Sequence, residues 1–236
     1  MVPGLAGGFE LLGPLARQLA RDFRVISYQL RGEDDCFVLR RRFGLIDLVE
    51  DLAEFLTYMG LERPALFGVS FGGVLALEFA ARHPGRISAL GVQGVGARFE
   101  RGLLQRIAGM VLSGYPLPSD NPFVNQFFNL LFGRAQKKGP LFEFVTQRCW
   151  QTDQSVMAHR FKLVQRLDLT SRLNRIQTPT LILSGDRDLL VSNQSLTDLH
   201  GGIPNAKLAR LPGSGHLAFV TQPRVVADQV RRFMQN

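Results

Sequence analysis

The stretch LFGVSFGG, residues 66–73, places one serine between two glycines at the point where an apolar run ends. The apolar residues before the serine are typical of a buried strand, and the residues after it have the period of a helix. A sharp turn between such elements brings neighbouring backbones so close that only glycine fits at Gly68 and Gly72. The pattern predicts a strand, turn and helix that lift the Ser70 hydroxyl clear of the sheet.

A serine hydroxyl needs a base before it can act as a nucleophile, and the chain has four histidines. His83 ends the helix that begins at Ser70, and a helix rises about 1.5 Å per residue, so His83 cannot reach the hydroxyl. His159 and His200 lie in helix-period segments, where a solvated or capping histidine is usual. His216 follows the last predicted strand in the loop LPGSGHLAF, at the carboxyl edge of the sheet. We expect His216 to be the base, with a structural loop histidine as the alternative.

The imidazole in turn needs a carboxylate to orient it. The segment SGDRDLLVS follows the predicted strand TLIL, so Asp186 and Asp188 both leave the sheet at its carboxyl edge and are both candidates. The corresponding segment after the preceding strand, GVQGVGA, contains no carboxylate. The chain order is therefore serine, aspartate, histidine.

Composition is that of an ordinary globular protein, with 236 residues, 45% hydrophobic and 20% charged. Cys36 and Cys149 lie far apart with no CxxC pattern or His-rich surroundings, so neither a disulfide framework nor a zinc site is expected. This use of cysteine predicts a cytoplasmic location. The N-terminus lacks the pattern of a signal peptide. No apolar run approaches the about 20 residues of a membrane span, so none is predicted.

The net charge of +8 and pI near 10.3 raise the possibility of nucleic-acid binding. The arginines are scattered, however, and the chain shows neither a zinc finger nor an RNA-binding signature with interleaved aromatic residues. We therefore expect a solvated basic surface and a small-molecule substrate, with no nucleic-acid partner. The sequence indicates no particular oligomeric state.

Strands that alternate with helices predict an α/β fold with a doubly wound, mostly parallel sheet. The strands are expected at residues 23–30, 65–69, 88–94, 178–185 and 206–212. The helices are expected at residues 9–21, 44–59, 71–82, 192–200 and 223–234. Residues 97–170 break this alternation with helical stretches interrupted by prolines, which predicts a helical cap between the core parts 1–96 and 171–236.

The predicted cap carries eight of the 18 phenylalanines. Four of them form one helical stripe, Phe123, Phe127, Phe128 and Phe132. Such a stripe usually packs in a core, and the alternatives are the wall of a pocket or contact with lipid, so Phe123, Phe127 and Phe128 are candidates for substrate binding. The segment is also rich in Lys and Arg. A cationic cap over an apolar pocket would suit an acidic ester, and solvated charge is the plainer explanation.

Four stretches carry a resemblance to a known family. They are RVISYQLRG (24–32), the run from GLIDLVEDL to PGRISAL (44–90), PTLILSGDRD (179–188) and the run from LPGSGHLAF to VRRF (211–233). Through them the chain resembles the capped α/β-hydrolases, which include esterases, C–C bond hydrolases and epoxide hydrolases. The resemblance implies an α/β-hydrolase fold and a serine hydrolase with neither metal nor organic cofactor. The family's acid ends a Gly-x-x-Asp motif, which implies Asp188 as the acid.

Two features depart from the family pattern. The family opens its oxyanion loop with His-Gly, whereas this chain has Pro3-Gly4, although the oxyanion hole uses backbone N–H groups, which implies Leu5 and Phe71 as donors. The family also has three strands ahead of this loop. We therefore expect the strand between residues 23–30 and 65–69 to be missing, either through a truncated start or because a partner completes the domain.

The expected activity is hydrolysis of a carboxylic ester or related acyl compound through an acyl-enzyme on Ser70. A serine nucleophile, in place of aspartate, argues against the dehalogenase and epoxide hydrolase branches. Acyl transfer and C–C bond hydrolysis with the same residues remain open. A ligand receptor or scaffold without catalysis is the alternative from another functional class.

Overall fold

The computed structural model describes residues 1–33, 43–99, 102–114, 122–133 and 139–235. Its centre is a parallel sheet of four strands in the order β1-β2-β3-β4. The strands are β1 (Ala65–Val69), β2 (Ala89–Gln93), β3 (Thr180–Gly185) and β4 (Ala206–Leu211). These four predicted strands are confirmed to within two residues. The nearly continuous apolar runs of β1 to β3 fit strands of a parallel sheet that helices cover on both faces, whereas β4, with Lys207 and Arg210, is a partly exposed edge strand.

The described residues form ten α-helices. These are α1 (Gly13–Leu19), α2 (Leu45–Tyr58), α3 (Phe71–Arg82), α4 (Leu103–Ser113), α5 (Pro122–Leu131), α6 (Pro140–Gln151), α7 (Gln154–Val164), α8 (Asn193–Gly202), α9 (Ala218–Thr221) and α10 (Pro223–Met234), with 3₁₀ turns at Phe9–Leu12 and Leu173–Arg175. The predicted helix at 9–21 is therefore a 3₁₀ turn followed by α1. The short helix α9 was not predicted.

Two hydrophobic clusters lie on opposite faces of the sheet. Strand residues such as Leu66 and Ile182 pack with α2, α3 and α8 on one face. Phe67 and Leu183, which point the other way, pack with α1, α9 and α10. Successive side chains of a strand alternate between the faces, so β1, β3 and β4 contribute to both clusters, whereas Leu90 and Val92 of β2 belong to the first. The predicted α/β sheet flanked by helices is confirmed.

The strand predicted at residues 23–30 is wrong. The backbone of this segment pairs with the first residue of the chain, where Tyr28 N–H donates to the Met1 carbonyl at 3.0 Å and the Met1 amino group donates to the Ile26 carbonyl at 2.6 Å. Val2 then forms a single isolated bridge to Gly68 of β1. A strand requires a ladder of successive pairs. One bridging pair gives residues 23–30 no ladder to join, so their apolar pattern does not become a strand.

The helices α4 to α7 lie between β2 and β3 and are here named the insertion. Its two ends are joined where Phe99 N–H donates to Leu167 O (3.2 Å) and Leu169 N–H donates to Ala97 O (2.8 Å). The helical stretches predicted within 97–170 are confirmed, whereas the division of the chain into three parts stays a prediction. Among the described helices none is long and apolar enough to cross a membrane.

The insertion also touches the loop that carries His216. Leu217 N–H donates to the carbonyl of Leu131 at the end of α5 (3.1 Å). Next to it, Gly133 and Ser214 form an isolated antiparallel bridge. The insertion and this loop are therefore joined by backbone contacts as well as by side chains.

Candidate active site

Ser70 lies at the turn between β1 and α3 in a strained conformation. Its φ of 50° is the only positive value for a non-glycine residue in the part of the chain that the structure describes. Such a value is unfavourable for a residue with a side chain and persists where the surroundings enforce it. The Ser70 N–H is held by the carbonyl of Gln93 at the end of β2 (2.8 Å). The turn presents the Ser70 hydroxyl at the N-terminus of α3.

The glycines on either side of Ser70 are explained by close approach of backbone to backbone. A Cβ at Gly68 would lie within 3.0 Å of the Gly72 carbonyl, on the first turn of α3. A Cβ at Gly72 would lie within 3.0 Å of the carbonyl oxygens of Val2 and Pro3. Real Cβ atoms do not approach backbone atoms so closely, so larger residues would have to displace the turn or the first residues of the chain.

Ser70, His216 and Asp188 form one hydrogen-bonded row. His216 Nε2 lies 2.9 Å from Ser70 Oγ, and His216 Nδ1 lies 2.9 Å from Asp188 Oδ2. The other carboxylate oxygen, Oδ1, accepts the N–H groups of Leu190 (2.8 Å) and Val191 (3.3 Å). All three residues follow strands of the sheet at its carboxyl edge. The structure thus brings together the three residues that the sequence singled out.

Asp188 is the carboxylate beside His216, and Asp186 is not. The Asp188 side chain is 1% exposed and that of His216 is 6% exposed. Burial alone raises the pKa of Asp188, but the charge of His216 and the hydrogen bonds from His216, Leu190 and Val191 together lower this pKa below its ordinary value. An ionised Asp188 favours a proton on Nδ1, which leaves Nε2 able to accept the Ser70 hydroxyl proton.

Two backbone N–H groups near the turn at Ser70 have no acceptor among the described residues, those of Leu5 and Phe71. The Phe71 N–H belongs to the first turn of α3, where no intrahelical acceptor exists. The positive end of the helix dipole points to the same place. Leu5, Ser70 and Phe71 all line one cavity. The pair can therefore donate to an oxygen bound next to Ser70.

The sequence of the chain settles its family. A sequence model of the alpha/beta hydrolase fold matches residues 1–223. The chain belongs to the alpha/beta hydrolase fold family.

Individual relatives agree with this assignment. A poly(3-hydroxyalkanoate) depolymerase of Ectopseudomonas oleovorans is 29% identical over 239 residues, which cover 98% of this chain and 82% of the relative. An esterase of Exiguobacterium antarcticum has the same fold (TM-score 0.86, 17% identity, 100% of this chain and 91% of the other). So does an enol-lactonase of Burkholderia xenovorans LB400 (TM-score 0.85, 20% identity, 100% and 90%). This chain is an alpha/beta-hydrolase enzyme.

A cavity of about 230 Å³ opens over Ser70 and His216 in this alpha/beta hydrolase. Phe127 and Phe128 of α5 stand in its wall. The remaining wall is mostly aliphatic and aromatic and comes from the insertion and the core, with Val111, Leu112, Met157, Phe161, Leu190 and Val191 among its members. Ser70 and His216 make the bottom of the cavity polar, and the wall is apolar except for Arg98 and Gln154.

The four phenylalanines of the predicted stripe do not share one role. The side chain of Phe123 lies outside the described residues. Phe132 follows the end of α5, is fully buried and packs against Phe142 with ring centroids 5.4 Å apart. Phe127 and Phe128 line the cavity, so both the core and the pocket alternatives hold, for different members of the stripe.

Gln93 is a site residue that sequence reasoning missed. Its side chain is fully buried, and its Nε2 donates to the His216 carbonyl at 3.0 Å. Its Oε1 accepts the Phe219 N–H at 3.3 Å, while its own carbonyl holds Ser70. Gln93 thus fixes the nucleophile turn and the histidine loop relative to each other. The available signal was one polar side chain at the end of an otherwise apolar strand.

The three other histidines lie away from Ser70. His83 Nε2 faces Glu50 at 3.7 Å, and His159 Nε2 lies 2.6 Å from the Phe43 carbonyl. His200 is in the last turn of α8. Within the described residues, no group of three or more His, Cys, Asp or Glu side chains could hold a metal ion.

Proposed function

We propose that this protein is a serine hydrolase that cleaves carboxylic esters with an uncharged, apolar acyl group. The observation that carries the proposal is the position of His216, whose two ring nitrogens lie 2.9 Å from Ser70 Oγ and 2.9 Å from the Asp188 carboxylate. This is the geometry that nucleophile, base and orienting acid require. The proposed cap, residues 97–170, would cover the site and choose the acyl group.

In the acylation step, Ser70 Oγ attacks the ester carbonyl carbon while His216 Nε2 takes the hydroxyl proton. The carbonyl π electrons move to the oxygen, and the N–H groups of Leu5 and Phe71 donate to the oxyanion. The tetrahedral intermediate then collapses, the bond to the alkoxy group breaks, and His216 returns its proton to the leaving oxygen. An alcohol departs and an acyl-enzyme on Ser70 remains.

In the deacylation step, a water molecule replaces the alcohol. His216 takes one proton from the water, whose oxygen attacks the acyl carbon, and the same two N–H groups stabilise the second oxyanion. The proton then goes to Ser70 Oγ as the acyl–oxygen bond breaks. Asp188 stabilises the positive charge that His216 carries in both steps.

The wall of the cavity supports the apolar acyl group. Arg98 is a cation at this wall, and its guanidinium is paired with Asp198 at 2.6 Å. An exposed ion pair of this kind contributes about 1 kcal/mol or less, so the apolar residues of the wall, and not this pair, support the uncharged acyl group. The relative with 29% identity is named a poly(3-hydroxyalkanoate) depolymerase, a name that fits ester cleavage.

A fluorophosphonate probe tests the proposal directly. We expect one covalent adduct by mass spectrometry in the full chain and none in Ser70→Ala. Ser88→Ala, which changes an exposed serine just before β2, is the matched control and keeps the adduct. Hydrolysis of p-nitrophenyl esters should disappear in Ser70→Ala alone. An adduct that persists in Ser70→Ala would reject the assignment.

A further inference from the structure

A buried polar network joins the insertion to the oxyanion loop, which we define as residues 4–8. Its members are Arg160 of α7, Thr152 between α6 and α7, and Glu33 from the core. The Arg160 side chain is 0% exposed and that of Glu33 is 6% exposed. The mechanism proposed above uses none of these three side chains.

Arg160 holds the first half of the oxyanion loop. Its Nη1 donates to the Leu5 carbonyl at 3.0 Å and to the Glu33 carboxylate, with which it forms a buried ion pair. Its Nη2 donates to the Arg31 carbonyl at 2.8 Å. One guanidinium therefore fixes two backbone carbonyls of the core from a helix of the insertion.

Thr152 holds the second half of the loop. Its Oγ1 accepts the Gly7 N–H at 2.9 Å and donates to Glu33 Oε2 at 2.8 Å. Glu33 thus accepts from both residues of the insertion, one at each carboxylate oxygen. The insertion is therefore hydrogen-bonded to the loop at Leu5 and at Gly7, on both sides of Ala6.

This loop has little to fix its own backbone. Gly7 (φ 82°) and Gly8 (φ 50°) have left-handed conformations, and glycines allow many backbone conformations of similar energy. A buried ion pair is a poor source of stability, because apolar residues of similar size often do as well. What an apolar residue cannot supply at position 160 is a donor to the Leu5 carbonyl.

We propose that Arg160 is a positioning residue for the oxyanion hole. Together with Glu33 and Thr152, it fixes the backbone at Leu5 and so keeps the Leu5 N–H aimed at the oxygen bound beside Ser70. The inference rests on the proposed function, since it assumes that an oxyanion forms there. It also makes the insertion part of the catalytic geometry, besides being the wall of the cavity.

The test compares Arg160→Met with Arg172→Met. Arg172 forms an ion pair with the buried Glu78 at 3.0 Å, on α3 away from residues 4–8, so its loss disturbs a buried carboxylate without touching the loop. The substrate is p-nitrophenyl butyrate, and the oxyanion analogue is an alkyl trifluoromethyl ketone, which forms a hemiketal oxyanion on serine. Removing an oxyanion donor lowers kcat by about 10²–10³-fold, and a misplaced donor should cost about 10–100-fold.

For Arg160→Met we expect kcat and ketone affinity to fall by the same factor while KM stays within about twofold, as for an interaction made only in the transition state. Arg172→Met should leave all three at wild-type values. Thr152→Val keeps the shape of the side chain and the ion pair, and it provides the same test if Arg160→Met does not fold. It should lower kcat by about three- to tenfold, again with KM unchanged.

Two different results separate this inference from the proposed function. If Ser70→Ala keeps the wild-type esterase activity, the proposed function fails and the inference fails with it. If activity depends on Ser70, but Thr152→Val and every folded Arg160 variant keep the wild-type kcat and ketone affinity, only the inference is overturned. A rise in KM at constant kcat would overturn it too, because that pattern belongs to substrate binding.

Discussion

The nucleophile turn and the wall of the cavity are built by different kinds of contact. At Gly68 and Gly72 backbone packs on backbone, and a single added Cβ would overlap with carbonyl groups. In the wall of the cavity, side chains pack on side chains, as where Phe161 meets Phe99 edge to face with ring centroids 5.5 Å apart. Backbone contact admits one residue type, whereas side-chain packing admits several of similar volume. The turn can therefore be recognised in one sequence, and the wall of the pocket cannot.

The largest expected effect follows from a Cβ placed in the turn. Gly72→Ala should abolish fluorophosphonate labelling and esterase activity and reduce the yield of folded protein, because the Cβ meets the carbonyl oxygens of Val2 and Pro3. The matched control is Gly201→Ala in α8, where no atom lies within 4 Å of the added Cβ. That change should stabilise the helix by about 0.5–1 kcal/mol. A Gly72→Ala variant that unfolds at the wild-type temperature and keeps its activity would show that close backbone packing does not restrict the turn to glycine.

The second effect concerns the two aspartates after β3. Asp188→Asn should lower kcat by about 10⁴-fold, because the amide favours the wrong imidazole tautomer. Asp186→Asn should change kcat by less than about twofold, since Asp186 is exposed and Asp188 alone is bonded to His216. Steady-state kinetics on p-nitrophenyl butyrate checks both variants. The opposite ranking would move the orienting role to Asp186.

The third effect compares two phenylalanines of the same segment, one in the wall of the cavity and one in the core. Phe128→Ala enlarges the cavity and should raise KM for a p-nitrophenyl octanoate by about tenfold, with little change for the acetate, because the lost contact is with the acyl chain. Phe132→Ala instead removes a fully buried ring and should lower the unfolding free energy by about 3–5 kcal/mol. Urea denaturation and a chain-length series distinguish the two. Equal effects on both measurements would show that wall and core are not separate in this segment.

The smallest expected effect is the acid stability contributed by Asp188. Its pKa is lower in the folded protein than in the unfolded chain, where it is about 3.9, so its contribution is complete above that pH. The contribution is lost as the pH falls through the folded-state pKa. Urea denaturation from pH 7 to pH 3 should show this loss in the wild type and in Asp186→Asn, and less of it in Asp188→Asn. Parallel curves for all three proteins would refute the assignment.

Much of the core could be predicted because its pattern is local. Strand and helix periods located β1 to β4 and the longer helices, and the glycines located the turn at Ser70. His216 followed from its place after β4 at the carboxyl edge. Asp188 was preferred to Asp186 only through the family motif, because two residues after the same strand look alike until side-chain directions are known.

The failures of prediction have a common physical cause, which is dependence on distant partners. Residues 23–30 have the composition of a strand, but a strand also needs a neighbour that pairs along its length. Arg160 and Glu33 are 127 positions apart, and neither stands in a motif. Gln93 is one glutamine in an apolar strand. No local period distinguishes such residues from ordinary surface or core positions.

The backbone contacts of Leu131 and Gly133 with the loop of His216 have a consequence for how such enzymes diverge. An insertion exchanged with that of another family member would carry its own residues at 131–133 into contact with an unmatched loop at 213–217. A chimaera made within these limits should therefore need both segments from the same parent to recover turnover. A new substrate preference on this scaffold would then require changes in two segments together, the helices that select the acyl group and the loop that carries His216.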